Sequence, residues 1–251
     1  MSRPDGLCIY ATNHPNSQVV CRAIEQGSGG RIVPPVRLME GPAAIYGILR
    51  GCDQIIKQCE WVRRDYYHID HGYLRRGWNS YSGYYRITRN GLQWSANGRE
   101  YPDDRFKRFG ISLKPWRKSG RHVLVCPIST AIGAFYGIDP QVWLQAIVEE
   151  IGAHTDRPVT IKPKDSDLDL KTALNDAWCL VTFNSNAAIE ALIEGVPVFV
   201  TGPAAARAMG SPDLSKIDEP RYGNREAIFA ALAYQQWTLD EIRRGECWEW
   251  M

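Results

Sequence analysis

The chain has 251 residues, 44% hydrophobic and 23% charged, which is enough to bury one large core or two small ones and too apolar for a disordered chain. The start, MSRPDGLCIYATN, lacks a basic stretch followed by a long apolar run, and no later apolar run reaches the roughly 18 residues that a membrane span needs; a cytoplasmic protein without a membrane span is expected. The formal net charge of +2 conceals a split, because Arg50 to Arg121 holds 16 Lys/Arg against 7 Asp/Glu and leaves 14 against 21 for the rest.

In chain order, LCIYAT reads as a strand, a helix follows from about Ser17 to Gln26, the GSGG of Gly27 to Gly30 is a plain turn, and RIVPPV is a second strand. Asn13, His14 and Pro15, after the first strand, form a minor candidate mouth for a ligand. A helix is expected around Ala43 to Arg50, a further apolar pattern from Gly51 to Cys59, and a strand in DYYHID that ends in an Asp-His-Gly turn. Gly77 to Gly83 reads as a polar loop, Tyr84 to Arg89 (YYRITR) alternates as a strand, and Asp103 to Gly120 is a basic connection that carries the domain boundary. The expected domains are 1–115 and 116–251.

The second half alternates cleanly. HVLVCPIS is a strand, a helix follows Asp139-Pro140 as far as Ile151, and VTIKPK is the next strand. A helix around Leu170 to Ala177 precedes a buried strand ending at Phe183, an Ala-rich helix runs from Ala187 to Glu194, and Gly195 and Pro197 stop it before the strand Pro197 to Val200. An amphipathic helix from Arg225 to Gln236 is expected to pack back across the sheet, and the tail WTLDEIRRGECWEWM to close the fold with a short helix and two tryptophans. The seven cysteines are odd in number and free of any CxxC pair, which suits buried thiols rather than a disulfide framework. His68 and His71 flank Asp70 in HIDH, but two histidines without a third ligand at a familiar spacing assign no metal site.

Open α/β sheets bind ligands outside the carboxyl ends of their strands. Three such ends fall in the second half: CPIST with Ser129 and Thr130, KPKD with Lys162 and Lys164, and NSN with Asn184, Ser185 and Asn186. Hydroxyls, amides, two lysines and a helix start suit a phosphorylated ligand, and Glu190 could accept hydrogen bonds from ribose hydroxyls. The plainer alternative makes the NSN residues helix caps and Glu190 a complement to the helix dipole. No G-x-G-x-x-G or GxxxxGK[ST] occurs, which argues against a dinucleotide oxidoreductase and a P-loop kinase.

The stretch CLVTFNSNAAIEALIEGVPVFVTG, from Cys179 to Gly202, resembles the donor-nucleotide half of GT-B glycosyltransferases, and among them the capsule polysaccharide type. The resemblance implies an α/β fold of two Rossmann-like lobes with a central cleft. It implies a nucleotide-sugar co-substrate in the second lobe, bound by Ser129, Thr130, Lys162, Lys164, Asn184, Ser185, Asn186 and Glu190, and no resident cofactor, with a Mg²⁺ carried in by the nucleotide left open. One departure stands out: the family often carries a His-Pro pair where this chain has Lys162, Pro163 and Lys164, so the phosphate role would pass to a lysine. The first lobe of such enzymes presents the acceptor and often the base; here Asp70 is the candidate base with His71 beside it, and Arg75 and Arg76 just beyond stand near the departing phosphates. The alternative makes Asp70 a turn cap and His71 a packing residue.

The segment Arg50 to Arg121 also holds 13 of the 27 aromatic residues, interleaved with its arginines. Cations with stacking aromatics suit nucleic acid. One expected acceptor is therefore DNA carrying a hydroxymethylated pyrimidine, contacted by Arg75, Arg76, Trp78, Tyr84, Tyr85, Arg86 and Arg89, with Trp78 or the tyrosine pair stacking in place of an extruded base. Three other readings stay open: a carbohydrate acceptor stacked on the aromatics, a non-enzymatic nucleic-acid-binding module, and a half-buried sheet whose aromatics are core.

Overall fold

The computed structural model describes residues 3–77 and 81–251. Its elements are β1 (Cys8–Tyr10), α1 (Pro15–Ser28), β2 (Arg31–Val33), β3 (Ala43–Tyr46), α2 (Cys52–Trp61), β4 (Tyr66–His71), β5 (Tyr84–Arg89), α3 (Asp104–Arg108), β6 (His122–Cys126), α4 (Thr130–Tyr136), α5 (Pro140–Gly152), β7 (Val159–Ile161), α6 (Leu170–Ala173), β8 (Ala177–Thr182), α7 (Ala187–Ile193), β9 (Val198–Val200), α8 (Arg225–Ala233), β10 (Gln236–Thr238) and α9 (Leu239–Arg244), with three short 3₁₀ turns. They group into two compact units, Met1–Trp94 with Ala230–Met251, and Ser95–Phe229. Residues 95–115, assigned to the first domain from the sequence, thus group with the second unit, and residues 230–251 group with the first. All seven cysteines are buried free thiols.

The first unit is built on a six-stranded sheet in the order β10-β5-β4-β3-β1-β2. Strands β1 to β4 are parallel, β5 runs antiparallel to β4, and β10 runs antiparallel to β5. The segment expected to be a helix at Ala43 is strand β3, paired on both sides by β1 and β4. Ala43, Ala44 and Ile45 are fully buried there, so ladder pairing and burial override the helix preference of alanine. Helix α1 starts at Pro15, with the Asn16 backbone N–H donating to the His14 ring at 3.3 Å, and ends where Gly29 turns left-handed. Gly27 and Ser28 therefore belong to the helix and not to the turn.

The second unit is built on a four-stranded, all-parallel sheet in the order β7-β6-β8-β9. Strand β8 is buried at every position, AWCLVT, the signature of a strand covered on both faces. Val123, Val125, Cys179, Val181 and Phe199 from the sheet pack with Ile147 and Ile151 of α5, Trp178, Leu214 and Ile217. Asp139 caps α5 by accepting from the N–H groups of Gln141 (2.8 Å) and Val142 (3.0 Å). Helix α4 was not anticipated, because seven residues with an internal glycine give little periodic signal.

Backbone bonds explain why the basic connection joins the second unit. Lys114 N donates to Ile193 O (2.9 Å) and Arg117 N to Gly195 O (2.7 Å). The buried Arg225 guanidinium bonds the carbonyls of Leu192 and Lys114 and lies 4.1 Å from the centroid of the Trp116 ring. Gly195, at φ 77°, leaves room for the Pro115 carbonyl, which a Cβ would meet at 2.1 Å. At the far end, the expected helix Arg225 to Gln236 stops at Ala233, and Gln236 to Thr238 become β10 on the edge of the first sheet. A capping box of Thr238 and Glu241 then starts α9. Trp248 is buried, and Trp250 packs on Tyr234 with ring centroids 4.0 Å apart.

Gly27 marks the closest approach of α9 to α1, because a Cβ there would lie 1.8 Å from the Ile242 carbonyl oxygen. Gly27→Ala is expected to cost about 3 kcal/mol by overpacking. Gly152→Ala, where nothing lies within 4 Å, is expected to hold or raise stability. Urea denaturation of the two variants reads the contrast.

Candidate functional site

The parallel strands of both units share one order: the first strand is flanked by the second on one side and by the third and fourth on the other. Such an order has its switch point between the first and third strands, where the connections leave in opposite directions. In the second unit this lies at the carboxyl ends of β6 and β8.

Thr182 ties those two ends together, its hydroxyl donating to Cys126 O at 2.7 Å. The same Oγ1 accepts from Ser185 N at 3.4 Å, and Ser185 Oγ accepts from Ala187 N at 3.1 Å. Ser185 is therefore used in starting α7, as the capping alternative has it, while Asn186 makes no side-chain cap. Asn184 behaves differently. It is 8% exposed, and its Nδ2 is buried without a hydrogen-bond partner. An unsatisfied buried amide donor costs about 1–3 kcal/mol. Thr201 Oγ1, after β9, is likewise buried and unsatisfied.

On β6, Ser129 caps α4 by accepting from Ile132 N at 3.4 Å, and Thr130 is the exposed first residue of that helix. On β7, Lys162 N pairs with Val125 O at 2.8 Å, and its ammonium bonds Pro163 O (3.2 Å) and Ser166 Oγ (3.3 Å). Lys164 lies in the exposed turn beyond. Burial pushes the Cys126 thiol up to about 12, with Lys162 opposing the rise and Glu190 adding to it, so both charges act at the end of β6. Neighbouring strands stand about 4.8 Å apart, which brings Ser129, Lys162, Asn184 and Ser185 to one sheet edge. Sequence reasoning missed Thr182, Thr201 and Arg207, whose guanidinium bonds Val200 O (3.4 Å) and Gly202 O (3.3 Å) at the end of β9. Helix α7 has only seven residues, so its dipole is a short one.

In the first unit, Asp70 and Arg86 face each other across β4 and β5 and form an ion pair at 2.8 Å. Arg86 also donates to His71 O at 3.0 Å, and Asp70 Oδ1 accepts from His71 N at 2.7 Å. Burial raises the Asp70 carboxyl, but Arg86, His68 and the His71 N–H outweigh it and hold it below its ordinary value. A carboxylate held low is a weak base at neutral pH. The His71 ring is half-buried, stacks on Tyr85 with centroids 5.7 Å apart, and meets the Tyr46 ring edge-on at 6.4 Å. Tyr46 ends β3, and Asn16 of α1 accepts from Tyr81 OH at 3.3 Å, so the mouth after β1 is more populated than Asn13, His14 and Pro15 alone suggest.

Three of the seven acceptor residues named for a DNA surface are committed elsewhere. Tyr85 and Arg86 are buried, and Arg89 pairs with Asp65 at 2.6 Å. Arg75 and Arg76 lie in the turn beyond β4 and Tyr84 starts β5, whereas Trp78 falls outside the described residues. Tyr66, Tyr67, Tyr73, Trp94, Phe106 and Phe109 from the same segment are buried. The aromatic signal is thus chiefly core, the alternative that periodic aromatics in a half-buried sheet always carry. Among the described residues, no group of three or more His, Cys, Asp or Glu side chains could hold a metal ion.

His68, on the same face as Asp70, is 1% exposed, and neither ring nitrogen makes a hydrogen bond of ordinary geometry. Burial pushes its imidazole down to about 4; Asp70 opposes this and Arg86 adds to it. Its folded value lies below the unfolded value of about 6.5, so between pH 6.5 and 4 the unfolded chain takes up a proton that the folded one refuses. Stability is expected to fall with pH across that window by up to about 1.4 kcal/mol per unit. His68→Leu is expected to remove that slope in a pH series of urea titrations.

No family model matches the chain, and no curated protein matches it in sequence. Solved structures do resemble it. The β-Kdo 2,4-transferase of Thermosulfurimonas dismutans KpsC superposes with a TM-score of 0.55 at 13% identity, over 92% of this chain and 91% of that one. The β-Kdo 2,7-transferase of the same KpsC gives a TM-score of 0.50 at 14% identity, over 97% and 99%. The chain therefore shares its fold with the two KpsC Kdo transferases.

Proposed function

We propose that the protein is a glycosyltransferase that moves a sugar from a nucleotide-activated donor to a hydroxyl of a carbohydrate acceptor. The observation that carries this reading is the buried, unsatisfied amide of Asn184 at the switch point between β6 and β8, in a chain whose fold is shared with Kdo transferases. In this reading the two units are the lobes of a GT-B enzyme. Asn184, Ser185 and Ser129 orient the donor, Lys162 offsets its phosphate charge with Lys164 as the outer cation, and Glu190 accepts from ribose hydroxyls. His71 removes the proton of the attacking hydroxyl, while Asp70, locked by Arg86, holds the backbone of His71 in place. Kdo, named for the neighbours, is the first sugar to test.

The test is thermal shift and transfer with UDP-, GDP- and CMP-sugars. One class of sugar nucleotide is expected to stabilise the protein, by about 2.7 kcal/mol at a hundredfold excess over Kd. Asn184→Leu removes an unsatisfied donor, so it is expected to fold within about 1 kcal/mol of the parent and to lose the donor shift. A purely structural Asn184 would give the reverse, lower stability with donor binding intact. His71→Ala is expected to keep the donor shift and lower kcat by at least about a hundredfold; transfer at the parent rate would remove His71 from the mechanism.

A further inference from the structure

Among the described residues no helix is long and apolar enough to cross a membrane, yet the first unit carries a surface suited to lying on one. Trp61 is 88% exposed, Val36 79%, Leu49 56% and Val62 52%. A single exposed apolar side chain is ordinary, but four of the largest in one stretch of 27 residues, one of them a tryptophan, are not.

Local geometry gathers them along helix α2. The helix buries Cys52, Ile55, Ile56 and Cys59, which leaves Gln54, Lys57, Gln58 and Trp61 on its exposed stripe at spacings of three and four. The segment 35–39 runs beside that stripe. A Cβ on Gly51, at the helix start, would meet Pro35 O at 2.9 Å. Leu38 N donates to Gln58 Oε1 at 3.1 Å, and Arg64 bonds the Met39 carbonyl. Val36 and Arg37 thus project from a strap flanking the helix, while Leu49 and Arg50 precede its first turn and Trp61, Val62 and Arg63 end it.

Each exposed apolar residue has a cation beside it: Arg37 next to Val36, Arg50 next to Leu49, Arg63 next to Val62, and Lys57 one turn before Trp61, all exposed. The acidic residues of this region are Glu40, Asp53 and Glu60, and Glu60 accepts from Tyr66 OH at 2.8 Å. We propose that this face docks the protein peripherally on an anionic lipid bilayer, with Trp61, Val36, Leu49 and Val62 in the interface and Arg37, Arg50, Lys57 and Arg63 among the headgroups. Tryptophan suits that depth because its ring is apolar while its N–H stays wet, and each cation adds attraction to an anionic surface. This inference is independent of the proposed chemistry.

Co-sedimentation with vesicles tests it, using phosphatidylcholine alone and phosphatidylcholine with about one third phosphatidylglycerol. Binding is expected only to the anionic vesicles and to weaken with salt. The double variant Trp61→Ala/Val36→Ser is expected to bind about tenfold more weakly with its melting temperature retained, and Arg37→Glu/Arg50→Glu to lose preference for anionic lipid. Three results would overturn the proposal: no vesicle binding by the parent protein, equal binding to neutral vesicles, or binding that both double variants leave unchanged. A concentration-dependent dimer abolished by Trp61→Ala, without vesicle binding, would assign the face to a second copy and also overturn it.

Discussion

Parallel pairing is the constraint on which the rest of this structure depends. A parallel strand can only return to its sheet through a crossover, so the carboxyl ends of β6, β7, β8 and β9 all open on one edge. The hydrogen bond from Thr182 to the Cys126 carbonyl fixes the two central ends against each other. Every polar group named for the donor follows within a few residues of one of those ends or lies in the helix after it. In the proposed reading the chemistry is therefore concentrated by topology, at the one sheet edge where these polar groups lie.

The same economy explains the basic segment. Its cations look like a nucleic-acid footprint when read along the chain, yet the fold assigns several of them to structural work. Arg86 closes on Asp70, Arg89 on Asp65, Lys114 on Glu194 and Arg121 on Asp176. Arg117 bonds the carbonyls of Leu174 and Ala177, where a planar, multiply donating cation can satisfy carbonyls that no ladder reaches. The segment is also divided between the two units at Trp94. What remains exposed, around α2, has a different character: apolar tips with cations beside them.

The loops that carry the candidate site were legible before folding. CPIST, KPKD and NSN could be read as strand-end loops because each follows a run of β-branched and apolar residues, and β6, β7 and β8 do end there or within a few residues of there. Thr201, directly after β9, and Arg207, in the turn beyond it, were passed over, because a single hydroxyl and a single cation make no motif. Asn184 reads as a cap and as a ligand alike, and the fold adds that its Nδ2 is buried without a hydrogen-bond partner. Asp70 reads as a free carboxylate in DYYHID, whereas its partner Arg86 is 16 residues away and reaches it only through the β4–β5 register.

By itself the sequence determined the class of fold, the alternation of strand and helix in the second half, and the loops at the carboxyl ends of β6, β7 and β8. These depend on period, turn chemistry and capping, which act over a few residues. Only the tertiary structure decided that Ala43 to Tyr46 is a strand, that residues 95–115 group with the second unit, and that Gln236 to Thr238 cross back to pair with β5. Each of those outcomes rests on a partner far away in sequence, and a local preference yields when long-range pairing and burial outweigh it.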